Sequence, residues 1–285
     1  PVGHYNFKRH FKPVAIFFAM SCATTIYTNL DSVMLGFMAT NADVGYYGAA
    51  VKIKNILVSI VTSLGTVLLP RAAYYIEHQQ MDEFKKLSRK ALNFVFLVAS
   101  PMMIYFMLFA KQGIYFLSGD AFGPAVVPMQ LIMPTLLLIG ITNILGIQIL
   151  VPLGYEKAVL VSEIVGAVID LVVNALLIPV YQSSGAAIGT LLAEFAVMVV
   201  QCIALKNEIK TAFSDIKYLK IILAIIIASL ASFWVTALNL HVFITLVISA
   251  ILFFGVYGLV LIIMKEKLVV EILTQIFNKL KHKSA

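Results

Sequence analysis

The sequence comprises 285 residues, of which 61% are hydrophobic and 12% are charged. Because a soluble globular domain carries about 25% charged residues, this composition indicates a helical membrane protein that crosses the bilayer several times. A net charge of +7 fits lysine and arginine collected on one side of a membrane, and we expect no nucleic-acid partner. The histidines are scattered and both cysteines lie in apolar runs, so we expect neither a metal site nor a cofactor.

Apolar runs of about 20 residues, long enough to cross a bilayer, predict about eight transmembrane helices. In chain order they cover 13–37, 47–75, 88–110, 124–151, 157–179, 185–206, 219–238 and 242–264. The fold class is therefore an all-α transmembrane bundle. Residues 265–285 follow with apolar side chains at helical spacing between lysines and glutamates, which predicts an amphipathic helix on the membrane surface.

Lysine and arginine are distributed unequally between alternate loops. Of the 21 such residues, only Lys52, Lys54 and Lys111 fall on the opposite side from all the others. Positively charged loops mark the cytoplasmic side of a membrane protein. We therefore expect both ends of this chain in the cytoplasm.

Charged residues lie inside the first two predicted spans. Asp31 is about 10 Å below the outer end of the first span, and Lys54 lies about 10 Å below the same end if the second helix starts near Tyr47. One lysine could therefore pair with Asp31 as a structural ion pair, or a lysine could line a cavity that accepts an anionic head group. Lys52 and Lys54 are about 200° apart around the helix, so they cannot face the same neighbour.

Two further spans carry carboxylates. Glu163 and Asp170 share one face of the fifth span with Asn174, and Glu194 lies at mid-depth in the sixth. Such groups can bind a coupling proton or sodium ion, or they can form a hydrogen-bonded seam between helices, and the sequence leaves both readings open. Arg71, at the cytoplasmic end of the second span, is either an interfacial anchor or a contact for an anionic head group.

Three runs carry a resemblance to a known family: TNLDSVMLGFMATNADVGYYGAAVKI, VLLPRAA and SSGAAIGTLLAEF. They resemble the Wzx-like polysaccharide and O-antigen flippases of the multidrug/oligosaccharidyl-lipid/polysaccharide exporter superfamily. The resemblance implies a two-lobe transporter, of which residues 1–206 are the second six-helix lobe and 207–264 two additional C-terminal helices. Residues 265–285 would be a cytoplasmic amphipathic tail, and the N-terminal lobe would be a missing partner.

The resemblance implies a transporter and not an enzyme. Its substrate would be an undecaprenyl-pyrophosphate-linked oligosaccharide, which is moved from the cytoplasmic to the outer leaflet of the bacterial inner membrane for O-antigen or capsule synthesis. Asn29 and Asp31 match the family's Asn-x-Asp motif, and Lys52 and Lys54 match cationic residues of the next helix, which are the expected substrate contacts. The resemblance adds no further site residues. From their positions in the spans, Arg71 is a further candidate substrate contact, and Asp170, Glu163 and Glu194 are candidates for a coupling proton or sodium ion.

Other functions remain open at this point. A lipid II flippase or a drug/cation antiporter belongs to the same superfamily, although the two lysines favour an anionic substrate. A membrane-embedded glycosyltransferase or polymerase would normally carry a long outer loop, and the predicted loops are short. A scaffold without transport would tolerate neutral replacement of every buried charge.

Overall fold

The computed structural model describes residues 7–206, 213, 216–238 and 240–283. Within them all secondary structure is helical. The α-helices are α1 (Phe7–Met38), α2 (Asn41–Glu77), α3 (Met81–Leu108), α4 (Ala110–Ser118), α5 (Val126–Ile132), α6 (Thr135–Thr142), α7 (Glu156–Leu205), α8 (Tyr218–Phe233), α9 (Val242–Ile263) and α10 (Lys267–Lys283). Asp120–Ala125 and Trp234–Leu238 form 3-10 turns, and Asn143–Leu150 is a π-helical segment.

Among the described residues, five helices are long and apolar enough to cross a membrane, and the bent pair Asp120–Ile132 and Thr135–Leu150 would make a sixth. The protein is thus a multi-pass all-α membrane protein, as predicted. The count differs from about eight because two predicted spans, 157–179 and 185–206, lie in the single element α7, and because the first predicted span lies in α1, which is not among these helices.

Helix α7 is a hairpin of two antiparallel halves. Its 50 residues are interrupted at Gln182, where φ is 51° and ψ is −128°. Close contacts run in antiparallel order from this break, because Gly185 meets Leu177 and Gly166 meets Val197. The small residues at these positions let the two halves approach closely.

The predicted span 124–151 is not one continuous helix. Helix α5 ends at Ile132, Thr135 begins α6, and the axes on either side differ by 42°. Pro134 lies at this bend, and a proline has no N–H to continue the helical hydrogen bonds. Beyond it the π-helical segment places Gln148 so that its side-chain amide donates to the carbonyl of Gly65 on α2, 2.5 Å away.

The start of α2 differs from the prediction in a way that moves Lys54. Thr40 caps the helix, since its hydroxyl accepts from the backbone N–H of Asp43 while Asp43 accepts from the backbone N–H of Thr40. This reciprocal pair begins α2 at Asn41 and not near Tyr47. Lys54 therefore lies about 20 Å from the start of the helix, roughly twice the predicted depth.

The last two long helices pack on α3. The hydroxyl of Tyr105 donates to the carbonyl of Leu246, 2.9 Å away, and that of Tyr257 donates to the carbonyl of Leu97, also 2.9 Å away. These bonds hold α9 along α3. The predicted tail 265–285 is helical over Lys267–Lys283, but side chains beyond residue 275 and residues 284–285 lie outside the described part, as does the predicted boundary at residue 207.

Candidate functional site

A cluster of polar side chains is buried where α1, α2 and both halves of α7 meet. Asp31 is 1% exposed, and three groups bind its carboxylate. Asn174 donates to Oδ1 over 2.6 Å, Thr190 donates to Oδ2 over 2.9 Å, and the hydroxyl of Tyr47 also donates to Oδ2. Together with Asp170 we call these residues the carboxyl cluster.

Asp170 completes the carboxyl cluster. It is fully buried and its carboxyl group neighbours that of Asp31. Both of its carboxyl oxygens and Oδ1 of Asn174 are buried without a hydrogen-bond partner among the described residues. Unsatisfied buried oxygens are costly, and either a shared proton or a bound cation would satisfy them. The described residues hold no group of three or more His, Cys, Asp or Glu suited to a metal ion.

A cavity of about 310 Å³ lies next to the carboxyl cluster. We call it the lysine cavity, since Lys54 lines it and is only 8% exposed. Glu194 and Glu163 line the same cavity, and Thr24 donates to Glu163 over 3.2 Å. The carboxyl groups of Glu194 and Asp31 both attract the ammonium group of Lys54. The cavity therefore combines one ammonium group with two carboxyl groups and is not purely cationic.

The structure brings together five of the residues expected to form the site. These are Asp31, Lys54, Glu163, Asp170 and Glu194. Three others lie elsewhere: Lys52 is exposed on the opposite face of α2 from Lys54, Arg71 is exposed after Pro70, and the exposed Asn29 donates to the carbonyl of Thr25 in its own helix.

Asp31 is held by hydroxyl and amide groups instead of by a lysine ammonium. The reason is the earlier start of α2, which sets Tyr47 at the depth of Asp31 and moves Lys54 further into the bundle. Tyr47 was missed as a site residue. The Thr40-x-x-Asp43 pattern was the signal that could have found it, because a capping box marks the first turn of a helix.

Gly189 was also missed, and it is what lets the halves of α7 share the cluster. A Cβ atom at this position would overlap Oδ1 of Asn174 and lie 3.3 Å from Oδ1 of Asp170. Only a residue without a side chain fits there. The sequence signal was the small-residue run around Gly185 and Gly189, but its partner could not be known without the hairpin geometry.

The sequence of this chain is similar to those of known membrane proteins. A family described as "Polysaccharide biosynthesis protein" matches residues 2–127. The "Putative O-antigen transporter" of Escherichia coli (strain K12) is 24% identical over 67% of this chain and 46% of its own length. The "Probable flippase AglR" of Haloferax volcanii is 22% identical over 65% of this chain and 39% of its own length.

A solved structure shows the same fold. It is "Lipid II flippase MurJ, inward closed conformation", which superposes with a TM-score of 0.70 and 14% identity over 93% of this chain and 57% of that one. The relatives are thus named as a transporter and a flippase, and the solved structure shares the fold of this chain. The matches confirm the resemblance to the Wzx-like polysaccharide flippase family. The chain spans about half the length of the curated relatives it matches.

Proposed function

We propose that this chain is part of a flippase that moves an undecaprenyl-pyrophosphate-linked oligosaccharide from the cytoplasmic to the outer leaflet of a bacterial inner membrane. The observation that carries the proposal is Lys54, a buried ammonium group in a membrane bundle beside a cavity of about 310 Å³. A cation inside a membrane is costly and usually has a functional partner. The relatives named as an O-antigen transporter and a flippase support a lipid-linked sugar as that partner.

In this proposal Lys54 holds the pyrophosphate while the lipid tail stays in the bilayer. Glu194 lines the same cavity as Lys54 and attracts its ammonium group. A phosphate group that approaches Lys54 therefore competes with Glu194 for the ammonium group. Such competition gives a physical reason why the substrate would change the arrangement of α2 relative to α7, as alternating access requires.

The coupling ion, a proton or a sodium ion, is assigned in this proposal to the carboxyl cluster. Asp170 supplies two oxygens without a hydrogen-bond partner, and Asn174 supplies a third. Asp31 adds a second carboxyl group beside them. Glu163 and Glu194 would be further binding groups for the coupling ion, next to the carboxyl cluster in the lining of the lysine cavity.

Residues 1–206 would form the second lobe of the transporter, with 207–264 as two additional helices and 265–285 as a cytoplasmic tail. The missing N-terminal lobe would be the partner that closes the transport path. The relatives are longer than this chain, as an N-terminal lobe would require. Both ends of this chain would lie in the cytoplasm.

A matched pair of substitutions tests the role of Lys54. Lys54→Gln removes the buried ammonium group, and Lys52→Gln removes an exposed one two residues away on the same helix. We expect Lys54→Gln to reduce export of the lipid-linked sugar at least tenfold, since a charge-assisted contact is worth more than about 1.4 kcal/mol. Lys52→Gln should export normally. Equal export by both variants at equal membrane abundance would contradict the proposal.

A cation or drug antiporter is the second candidate, because Glu163 and Glu194 line the cavity beside Lys54. Substitution of Glu194 separates the two. A cationic substrate would require Glu194, so Glu194→Gln would abolish efflux while Lys54→Gln would spare it. An anionic substrate would require Lys54 instead, so Lys54→Gln would then abolish transport.

A further inference from the structure

A second polar pocket lies at the other end of the bundle from the α1–α2 turn. It has a volume of about 250 Å³ and is bounded by the first turns of α3, the start of α8 and the start of α10. Five basic side chains line it: Lys86, Arg89, Lys90, Lys217 and Lys267. The transport site described above uses none of them.

The two carboxylates that line this basic pocket are engaged by other groups. Glu266 is 2% exposed, accepts from the amide of Asn93 over 3.1 Å, and accepts from the backbone N–H of Val269 over 2.8 Å. Glu271 forms an ion pair with Lys90 over 2.7 Å. The lining carries five basic side chains against these two carboxylates, and one of the five, Lys86, also pairs with Glu83 over 2.6 Å. The pocket therefore keeps a net positive charge, and an anion is the complementary ligand.

The pocket also contains a polar atom that needs a donor. Oδ1 of Asn93 is buried and has no hydrogen-bond partner among the described residues, while its Nδ2 is committed to Glu266. A ligand that carries both a phosphate and a neighbouring hydroxyl would satisfy the lysines and this oxygen together. The head group of a glycerophospholipid such as phosphatidylglycerol has that chemistry.

The position of the pocket favours a lipid over a free phosphate. The pocket lies where membrane-spanning helices begin and end, since α8 begins at Tyr218 and α9 ends at Ile263. Exposed apolar side chains stand at these same termini, with Leu219 at 70% and Ile263 at 77% exposure. Basic pockets between transmembrane helices at the cytoplasmic surface are places where anionic lipid head groups bind.

The pocket is a built feature and not a chance grouping of surface lysines. The ammonium group of Lys220 donates to the carbonyl of Met264 over 2.5 Å and to that of Lys265 over 3.2 Å. These bonds join the start of α8 to the end of α9, and the Asn93–Glu266 bond fixes α10 against α3. The parts of α3, α8 and α10 that line the pocket are thereby held in place.

We propose that this basic pocket binds the phosphate head group of an anionic glycerophospholipid, and that the bound lipid fastens α10 to the ends of α3 and α8. The site is separate from the transport cavity and does not depend on which substrate is moved. An anionic lipid would then be a specific ligand of this chain and not only part of the bilayer that surrounds it.

The test compares two double variants of the full chain in detergent. Lys217→Gln with Lys267→Gln removes two exposed lysines of the pocket, and Lys111→Gln with Lys157→Gln removes two exposed lysines elsewhere. Native mass spectrometry measures binding of phosphatidylglycerol, with phosphatidylcholine as the uncharged reference. We expect the pocket variant to bind phosphatidylglycerol about 25-fold more weakly, and the matched control to bind it like the parent chain.

A second arm uses inorganic phosphate to separate a lipid site from a site for free phosphate. Millimolar inorganic phosphate should leave phosphatidylglycerol binding unchanged, because the lipid is also held by its acyl chains. Equal affinity of the two double variants for phosphatidylglycerol would overturn the assignment of the pocket. Displacement of the lipid by inorganic phosphate, or equal binding of phosphatidylcholine by the parent chain, would overturn the assignment to an anionic lipid.

Discussion

The hydroxyl of Tyr47 donates a hydrogen bond to the carboxylate of Asp31 across the α1–α2 hairpin. The same hydroxyl lies 2.8 Å from Oγ1 of Thr190, so it also connects this hairpin to the second half of α7. Tyr47 follows the start of α2 by about 9 Å, and Asp31 precedes the end of α1 by about 10 Å. The two side chains meet because the capping box at Thr40 fixes where α2 begins.

Tyr47→Phe should destabilise the protein and weaken transport. The substitution keeps a ring that is 2% exposed but removes a donor to a buried carboxylate. A hydrogen bond to a charged group is worth about 1.5–3 kcal/mol in water-soluble proteins and less in membranes, so we expect a loss of about 1 kcal/mol. Thermal unfolding in detergent measures it. Tyr46→Phe is the matched control, since the Tyr46 ring packs edge-on against Phe122; equal unfolding midpoints would contradict the prediction.

Gly189→Ala should separate the two halves of α7. The added methyl group overlaps Oδ1 of Asn174, which in turn donates to Asp31 through its amide nitrogen. Overpacking of this kind costs about 1–3 kcal/mol. We expect a lower midpoint of thermal unfolding and weaker ion dependence of transport. Gly258→Ala in α9 is the control, because a Cβ there meets nothing within 4 Å. If Gly189→Ala has the unfolding midpoint and the ion dependence of the parent chain, the two halves of α7 have space for a methyl group and the prediction is wrong.

Asp170→Asn should change the ion dependence of transport. The replacement keeps the shape of the side chain but removes the charge that, in the proposed mechanism, pairs with a proton or sodium ion in the carboxyl cluster. We expect the apparent affinity for the coupling ion to fall by at least about tenfold, as for the loss of a contact at an ion site. Flux into liposomes at varied sodium concentration and pH measures this. Asp120→Asn, at an exposed position, is the control; an unchanged ion response in Asp170→Asn would return Asp170 to a packing role.

The orientation of the chain is testable by labelling single cysteines. With Cys22 and Cys202 replaced by serine, Asn41→Cys reports the α1–α2 turn and Glu77→Cys reports the end of α2; both positions are exposed. Most lysine and arginine residues lie on the side of the membrane opposite the α1–α2 turn, and such an excess marks the cytoplasmic side. We therefore expect labelling of Asn41→Cys from outside and of Glu77→Cys from the cytoplasm. The reverse pattern would invert the orientation.

Composition and apolar run length were enough to predict an all-α membrane bundle, because a bilayer permits few other solutions. The same reasoning selected Asp31, Asp170 and Glu194, since a buried charge is conspicuous in an apolar run. It could not decide the partner of each charge. Partners depend on where a helix begins, and an error of six residues at the start of α2 placed Lys54 at the depth of Asp31, where Tyr47 lies.

Residues without charge were harder to find. Gly189 matters only because Asn174 lies opposite, and that pairing depends on the reversal at Gln182. Lys52 and Arg71 were selected by charge alone; both are exposed and lie apart from the lysine cavity, and their contact with a substrate stays a prediction. Helix geometry alone showed that Lys52 and Lys54 face different directions. Which of the two faces the interior depends on how α2 packs against its neighbours, and the sequence does not show that packing.

The close approach within α7 has a consequence for motion. Gly166, Gly185 and Gly189 leave no space into which one half could slide past the other. The two halves must therefore move as one rigid body, so that Asp170 and Asn174 on the first half move together with Thr190 and Glu194 on the second. Any change of conformation then alters their distances to Asp31, Tyr47 and Lys54 instead of their distances to one another. The carboxyl cluster and the lysine cavity would then change shape in the same movement, because both lie where α7 meets α1 and α2.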